Sequence, residues 1–166
     1  FFARLLDVDL KNATETIGAA ARHKGTSIVE CLVNCVIFNH GAHGWIAEKE
    51  TRPDRIIFLE HGKPMIYGVN RDKGLVLDGF NLKAVTIGEN GITEKDLLVH
   101  DAHCEDITLQ YKLAMMEGPD MPIAMGVIRS VETETYNDDM DSQIAEVREK
   151  SKIKCLDDVV ISLDRW

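Results

Sequence analysis

Residues 9–32 restrict the fold more than any other stretch of this chain. Asp9 or Asn12 can cap a helix, and Asn12 with Glu15 three residues later resembles a capping box. Ala13, Ile17, Ala20 and Ala21 recur at helical spacing and predict the buried stripe of a helix over 9–23. Arg22, His23 and Lys24 fall in its last turn, where positive charge suits the dipole, and Gly25 offers a left-handed stop. His23 therefore has a sufficient role in capping. Residues 26–32 are mostly apolar and partly β-branched, which predicts a short buried strand. A helix, a tight glycine and a buried strand form half of a βαβ unit, so the class is α/β. The other half is expected upstream of Phe1. The chain opens on Phe1 and runs straight into an apolar stretch without a start signal, which reads as the middle of a larger domain.

Cys35 lies just past that strand. In open α/β sheets the crevice beyond a strand's carboxyl end is where ligands sit. A soft thiolate there suits iron–sulfur or zinc chemistry. Free cysteine also packs as a small hydrophobe, so spacing alone leaves a structural Cys35 open. Cys31, Cys35, His40 and His43 crowd together in the manner of a zinc set. On one extended segment, four steps of ~3.3 Å would hold the two cysteines roughly 13 Å apart. Sulfurs that share a zinc ion each lie ~2.3 Å from it. Only a turn around Asn34 would bring them together. If Cys35 binds a metal, its co-ligands are expected from elsewhere.

With 166 residues the chain can bury a real core. Its formal net charge of −9 disfavours nucleic acid and anionic membrane as partners. No apolar run reaches the ~18 residues of a membrane span, and no signal peptide is visible. Four cysteines at spacings of 4, 69 and 51 make no compact disulfide framework, so a reduced cytoplasmic setting is expected.

Further along, residues 39–53 have no clean period, and Thr51-Arg-Pro-Asp reads as a turn. Strands are expected at 55–59, 65–67, 75–77 and 82–87, with Asp78-Gly79 a strong hairpin signal. Residues 54–90 thus read as a small antiparallel β insertion. Thr93 can cap a short turn, 97–99 is extended, and 107–116 is helical, with Met115 and Met116 as core filler. Residues 123–128 form a last buried strand, and 139–150 an exposed charged helix. The tail over 155–166 is expected to dock by Val159, Val160 and Trp166.

Recognisable catalytic motifs are missing: there is no G-x-G-x-x-G, no G-x-S-x-G and no H-E-x-x-H. His100, Asp101, His103, Cys104 and Glu105 form a dense polar cluster that reads as a triad, a metal site or simply a loop. His61, beside Gly62 and Lys63, has the surroundings of an exposed hairpin turn. No catalytic residue is assigned.

Four runs carry a resemblance: HKGTSIVECLVNCVIFNHG, RPDRIIFLEHGKPMIYGVNRDKGLVLDG, NGITEKDLLVHDA and MPIAMGVIR. In this order they resemble the carboxyl-terminal half of the β subunit of 2-oxoacid:ferredoxin oxidoreductases, most closely the 2-oxoglutarate type. The resemblance implies a thiamine-diphosphate-binding α/β fold: an open, mostly parallel sheet with helices, of which residues 1–166 form the carboxyl-terminal part. It implies oxidative decarboxylation of a 2-oxoacid, with the acyl group passed to coenzyme A and electrons passed through a 4Fe–4S cluster to ferredoxin. An α subunit of the same enzyme is the implied partner, and thiamine diphosphate, magnesium and the cluster are the implied cofactors. Cys35 matches the family's late cluster ligand, whereas Cys31 has no matching role and reads as strand packing. The Gly-Asp-Gly stretch that binds thiamine diphosphate, and the other three cluster cysteines, match nothing in these residues. Two other readings are a truncated homologue that acts as a subunit-interaction module, and a small metal-binding protein using Cys31, Cys35, His40 and His43.

Overall fold

The computed structural model describes residues 1–161, and the chain divides into two units. The larger holds residues 1–23 and 27–132, and the smaller holds 24–26 with the chain from 133 onward.

The larger unit is built on a four-stranded sheet in the order Ile28–Leu32, Phe2–Leu6, Ile123–Arg129, Ile56–Leu59. Strand β1 (Phe2–Leu6) leads through helix α1 (Leu10–Arg22) to β2 (Ile28–Leu32), which lies parallel to β1 from Phe2↔Ile28 to Leu6↔Leu32. This is a complete βαβ unit. The first strand expected upstream of Phe1 is Phe2–Leu6 itself. Strands β3 (Ile56–Leu59) and β7 (Ile123–Arg129) form a second parallel pair, which meets the first through an antiparallel, irregular β1–β7 pairing. The sheet is therefore mostly parallel, and its two parallel pairs point their carboxyl ends in opposite directions.

Helix α1 begins where Asp9 accepts the Asn12 backbone N–H at 3.4 Å, and His23 closes it with its own N–H on the Ala20 carbonyl. His23 is itself extended, so the helix stops there, and Gly25, at φ 117°, comes two residues after that cap and is not the expected left-handed stop. The buried position on α1 is Thr16, whereas Ile17 and Ala21 are exposed. The expected stripe is thus displaced onto Thr16. Strand β2 also departs from expectation. It is an edge strand and is largely exposed.

A second, three-stranded antiparallel sheet is formed by β4 (Ile66–Tyr67), β5 (Lys73–Asp78) and β6 (Asn81–Thr86). The β5–β6 hairpin turns at Gly79-Phe80 with Gly79 at φ 61°, the glycine-first form of two-residue loop. Ile56–Leu59, read with this insertion from sequence, joins the larger sheet instead. Ile57, Leu59, Ala124 and Ile128 pack with Met65, Tyr67 and Leu75 of the small-sheet region and with Leu113 and Met116. Each such large apolar side chain contributes about 1.5–3 kcal/mol on burial. Leu113 lies on α4 (Thr108–Ala114), which stops short of the expected residue 116; just past it Met116 is buried and Met115 is exposed. The opposite cluster joins Leu6 and Met125 to Ile46 of α2 (Gly44–Ala47). The turn expected at 51–54 is a one-turn helix, α3 (Arg52–Arg55), with Pro53 in its first turn, where a missing N–H costs nothing.

In the smaller unit, α5 (Tyr136–Lys150) starts at a capping box between Thr135 and Asp138 and is exposed along its whole length. Lys24 pairs with Glu134 at 2.8 Å. On helix α6 (Leu156–Ile161) Val159 and Val160 are about half exposed; Trp166, the third residue expected to dock the tail, lies outside the described residues. No helix among the described residues is long and apolar enough to cross a membrane.

Candidate functional site

The carboxyl end of the β1–β2 pair is where the sequence placed its thiol. After Leu32 the chain leaves the sheet, and Asn34 accepts the Gly41 N–H through Oδ1 at 2.7 Å. That bond closes a loop over 34–41. Within it, the Asn39 N–H donates to the Cys35 carbonyl at 3.0 Å, and the Phe38 N–H donates to Cys35 Sγ at 3.4 Å. The sulfur thus sits in a fold of backbone amides. The Phe38 amide, then that of Ile37, hold the Cys35 thiol below its ordinary value against an opposing desolvation, with Asn39 adding least. Amide donors stabilise the thiolate, which is the form that binds metal. Cys35 is partly exposed and is not sunk in the core.

Cys31 behaves in the opposite way. Partial burial and the Asp7 carboxylate push its thiol up, yet the residue is exposed on the edge strand, which overturns its reading as strand packing. His40 is exposed, and His43 is the half-buried residue that precedes α2. Among the described residues no group of three or more His, Cys, Asp or Glu side chains is placed to hold a metal ion. The four candidates of a zinc site are therefore not gathered into one, and Cys35 presents a single ligand.

The polar cluster at 100–105 is brought together with a histidine that the sequence kept apart from it. His61 Nδ1 lies 3.4 Å from Asp101 Oδ1 and accepts the Ala102 N–H, and its ring meets that of His103 edge-on at 4.4 Å. His103 Nδ1 lies 2.6 Å from the Ser130 carbonyl, so it carries the proton there. His100 is buried and donates from Nε2 to the Val127 carbonyl at 2.8 Å, while its Nδ1 has no partner. Burial, above all, lowers its basicity. The Cys104 carbonyl accepts from Arg129 at 2.8 Å and from Gln110 at 3.2 Å. Three of these bonds, to Val127, Arg129 and Ser130, tie the loop to the end of β7. No nucleophile–base–acid chain forms among them. Because the contacts join segments some 40 residues apart, sequence spacing gave no sign of them.

Comparison with known proteins adds the decisive observation. The chain is 31% identical over 169 aligned positions to the 2-oxoglutarate oxidoreductase subunit KorB of Mycobacterium tuberculosis (strain ATCC 25618 / H37Rv). The chain is similar along its whole length to a 2-oxoacid oxidoreductase subunit. The resemblance noted in the sequence is therefore borne out. The alignment takes in 100% of this chain and 44% of KorB, so the chain spans less than half the length of that relative, a share consistent with a carboxyl-terminal half. The mostly parallel sheet with its small antiparallel companion is consistent with a thiamine-diphosphate-binding type of fold. No family model and no solved structure matches the chain.

Proposed function

We propose that these residues form part of the β subunit of a 2-oxoacid:ferredoxin oxidoreductase with 2-oxoglutarate as its substrate, and that Cys35 is one thiolate ligand of its 4Fe–4S cluster. Similarity over the whole chain to KorB carries this reading. The geometry around Cys35 supports it: a partly exposed sulfur at a strand exit, with amide donors that favour the thiolate.

The fit to each implied cofactor differs. A 4Fe–4S cluster takes four cysteine thiolates, and Cys35 suits one corner of it. Cys31, Cys104 and Cys155 are not gathered with it among the described residues, so the remaining corners belong to polypeptide beyond these. The cluster would accept and release single electrons. This chain's part is to hold one sulfur and to direct the Phe38 amide at it, since hydrogen bonds to ligand sulfurs tune a cluster's potential. Among the described residues no group of three or more His, Cys, Asp or Glu side chains is placed to hold magnesium, so the residues that would bind it and thiamine diphosphate are not supplied by this part of the chain. An α subunit, ferredoxin, coenzyme A and a cytoplasmic setting complete the proposal.

The test is 2-oxoglutarate-dependent, coenzyme A-dependent reduction of ferredoxin by the whole subunit assembled with its partner. Cys35→Ala is expected to abolish it and Cys31→Ala to leave it near wild type. Full activity in Cys35→Ala, or no such activity in the wild-type assembly, would overturn the proposal.

A further inference from the structure

We propose that Asn34 is a positioning residue for the Cys35 sulfur: by holding the Gly41 N–H, its side-chain oxygen closes the 34–41 loop and keeps the Phe38 N–H on that sulfur. The bond is short, 2.7 Å, and spans seven residues. Gly41 suits the other side of it. Its φ of 77° lies in the left-handed region, which a residue with a Cβ enters only under strain. Inside the closed loop the Asn39 N–H reaches the Cys35 carbonyl at 3.0 Å, and the Phe38 N–H reaches Cys35 Sγ at 3.4 Å. The value of Cys35 as a ligand rests on the proposed function; the closed loop does not.

Packing does not hold this loop. Val36 is 69% exposed, Ile37 80% and Phe38 90%, so its large apolar side chains are not anchored. Asn39 and His40 are exposed as well. Hydrogen bonds are what tie its arms together. The Asn39–Cys35 bond joins residues four apart and closes the inner turn, whereas the Asn34–Gly41 bond closes the outer one. Exposed segments with few buried contacts open at low cost. Removing the Asn34 acceptor therefore frees the far arm of the loop, and with it the Phe38 amide.

A side-chain amide suits this position better than a carboxylate. A thiolate ligand is anionic, and reduction adds one more negative charge to a cluster. An N–H aimed at a ligand sulfur favours the more negative state and so raises the potential. Aspartate at 34 could accept the same bond, but it would add a negative charge one residue from the thiolate. Asparagine supplies the acceptor without the charge.

The test is a redox titration of the cluster, followed by electron paramagnetic resonance, in the whole subunit assembled with its partner, together with hydrogen exchange at the Gly41 amide. In Asn34→Ala the Gly41 amide is expected to exchange about tenfold faster or more, and reduction to become about threefold to tenfold less favourable, a drop of up to about 59 mV for one electron. An unchanged Gly41 amide, or a potential that rises or falls by less than about threefold in the equilibrium, would overturn the proposal. So would equal changes in Val33→Ala, the exposed neighbour, because the effect would then belong to the strand end at large. If Asn34→Ala carries no cluster, Asn34→Asp decides, since it keeps the acceptor oxygen: a cluster and a slow Gly41 amide in that variant support the proposal, and their loss overturns it. Cys35→Ala separates the two readings. Retention of the cluster there sinks the ligand assignment, and the loop closure is then judged by the Gly41 amide in Asn34→Ala alone.

Discussion

Replacing His100 with leucine has an effect on stability whose size and sign follow from its surroundings. The imidazole is 1% exposed, donates to the Val127 carbonyl, and keeps an unpartnered Nδ1. His100→Leu removes the donor and leaves a buried carbonyl unsatisfied, at a cost of about 1–3 kcal/mol near neutral pH. The pH dependence runs the other way. Burial lowers the folded-state basicity of His100, and the nearby His61 and His103 act in the same direction; the Val127 bond and Asp101 oppose them without reversing the shift. Between the ordinary value and the lowered one, the unfolded chain binds the proton and the folded chain does not. The stabilisation is complete above about pH 6.5, the ordinary histidine value, and is lost as pH falls below it. The slope approaches about 1.4 kcal/mol per pH unit for one proton. Urea unfolding from about pH 7.5 to pH 5 should therefore show His100→Leu less stable at the upper end, with the deficit shrinking toward the lower end. A deficit that stays constant across this range would refute the argument, because His100 would then titrate alike in both states.

Other outcomes follow from single sites. Gly126 sits at φ 84° in β7, and a Cβ there would lie 3.0 Å from the Leu59 carbonyl oxygen. Gly126→Ala should cost about 2–4 kcal/mol by denaturant melts, from left-handed strain plus overpacking; a loss below about 0.5 kcal/mol would show that the β7–β3 contact yields freely. Iodoacetamide followed by peptide mass analysis should label Cys35 at lower pH than Cys31, since backbone amides lower the first thiol while burial and Asp7 raise the second. The reverse order would contradict the loop geometry. Arg129→Met should cost about 1–3 kcal/mol, because the buried Gln110 and the Cys104 carbonyl lose a charged donor; unchanged stability would mean that this bonding does not hold the loop to β7.

Local chemistry made several elements legible from the sequence. The Asp9 cap, the Asp78-Gly79 hairpin and the apolar run of β7 each depend on residues close in the chain, and each is present as expected. Cys35 was singled out for a similar reason, as a thiol just past a strand. What was missed depends on partners far away in sequence. Phe2–Leu6 did not read as a strand because its regularity comes from β2 and β7 on either side. The run 28–32 looks buried, but its position at the sheet edge is set by topology and not by composition. On α1, helical periodicity points to Ile17, whereas packing buries Thr16 and leaves Ile17 exposed. The meeting of His61 with His103 follows from the return of β3 and β7 to one end of the sheet, and no short motif encodes it.

The claim at the centre of this account is that the Cys35 sulfur binds iron. Electron paramagnetic resonance of the reduced whole subunit, purified anaerobically with its partner, tests it most directly. The account predicts a 4Fe–4S signal in the wild type and in Cys31→Ala, and its disappearance in Cys35→Ala together with a fall in bound iron. An undiminished signal in Cys35→Ala would contradict it.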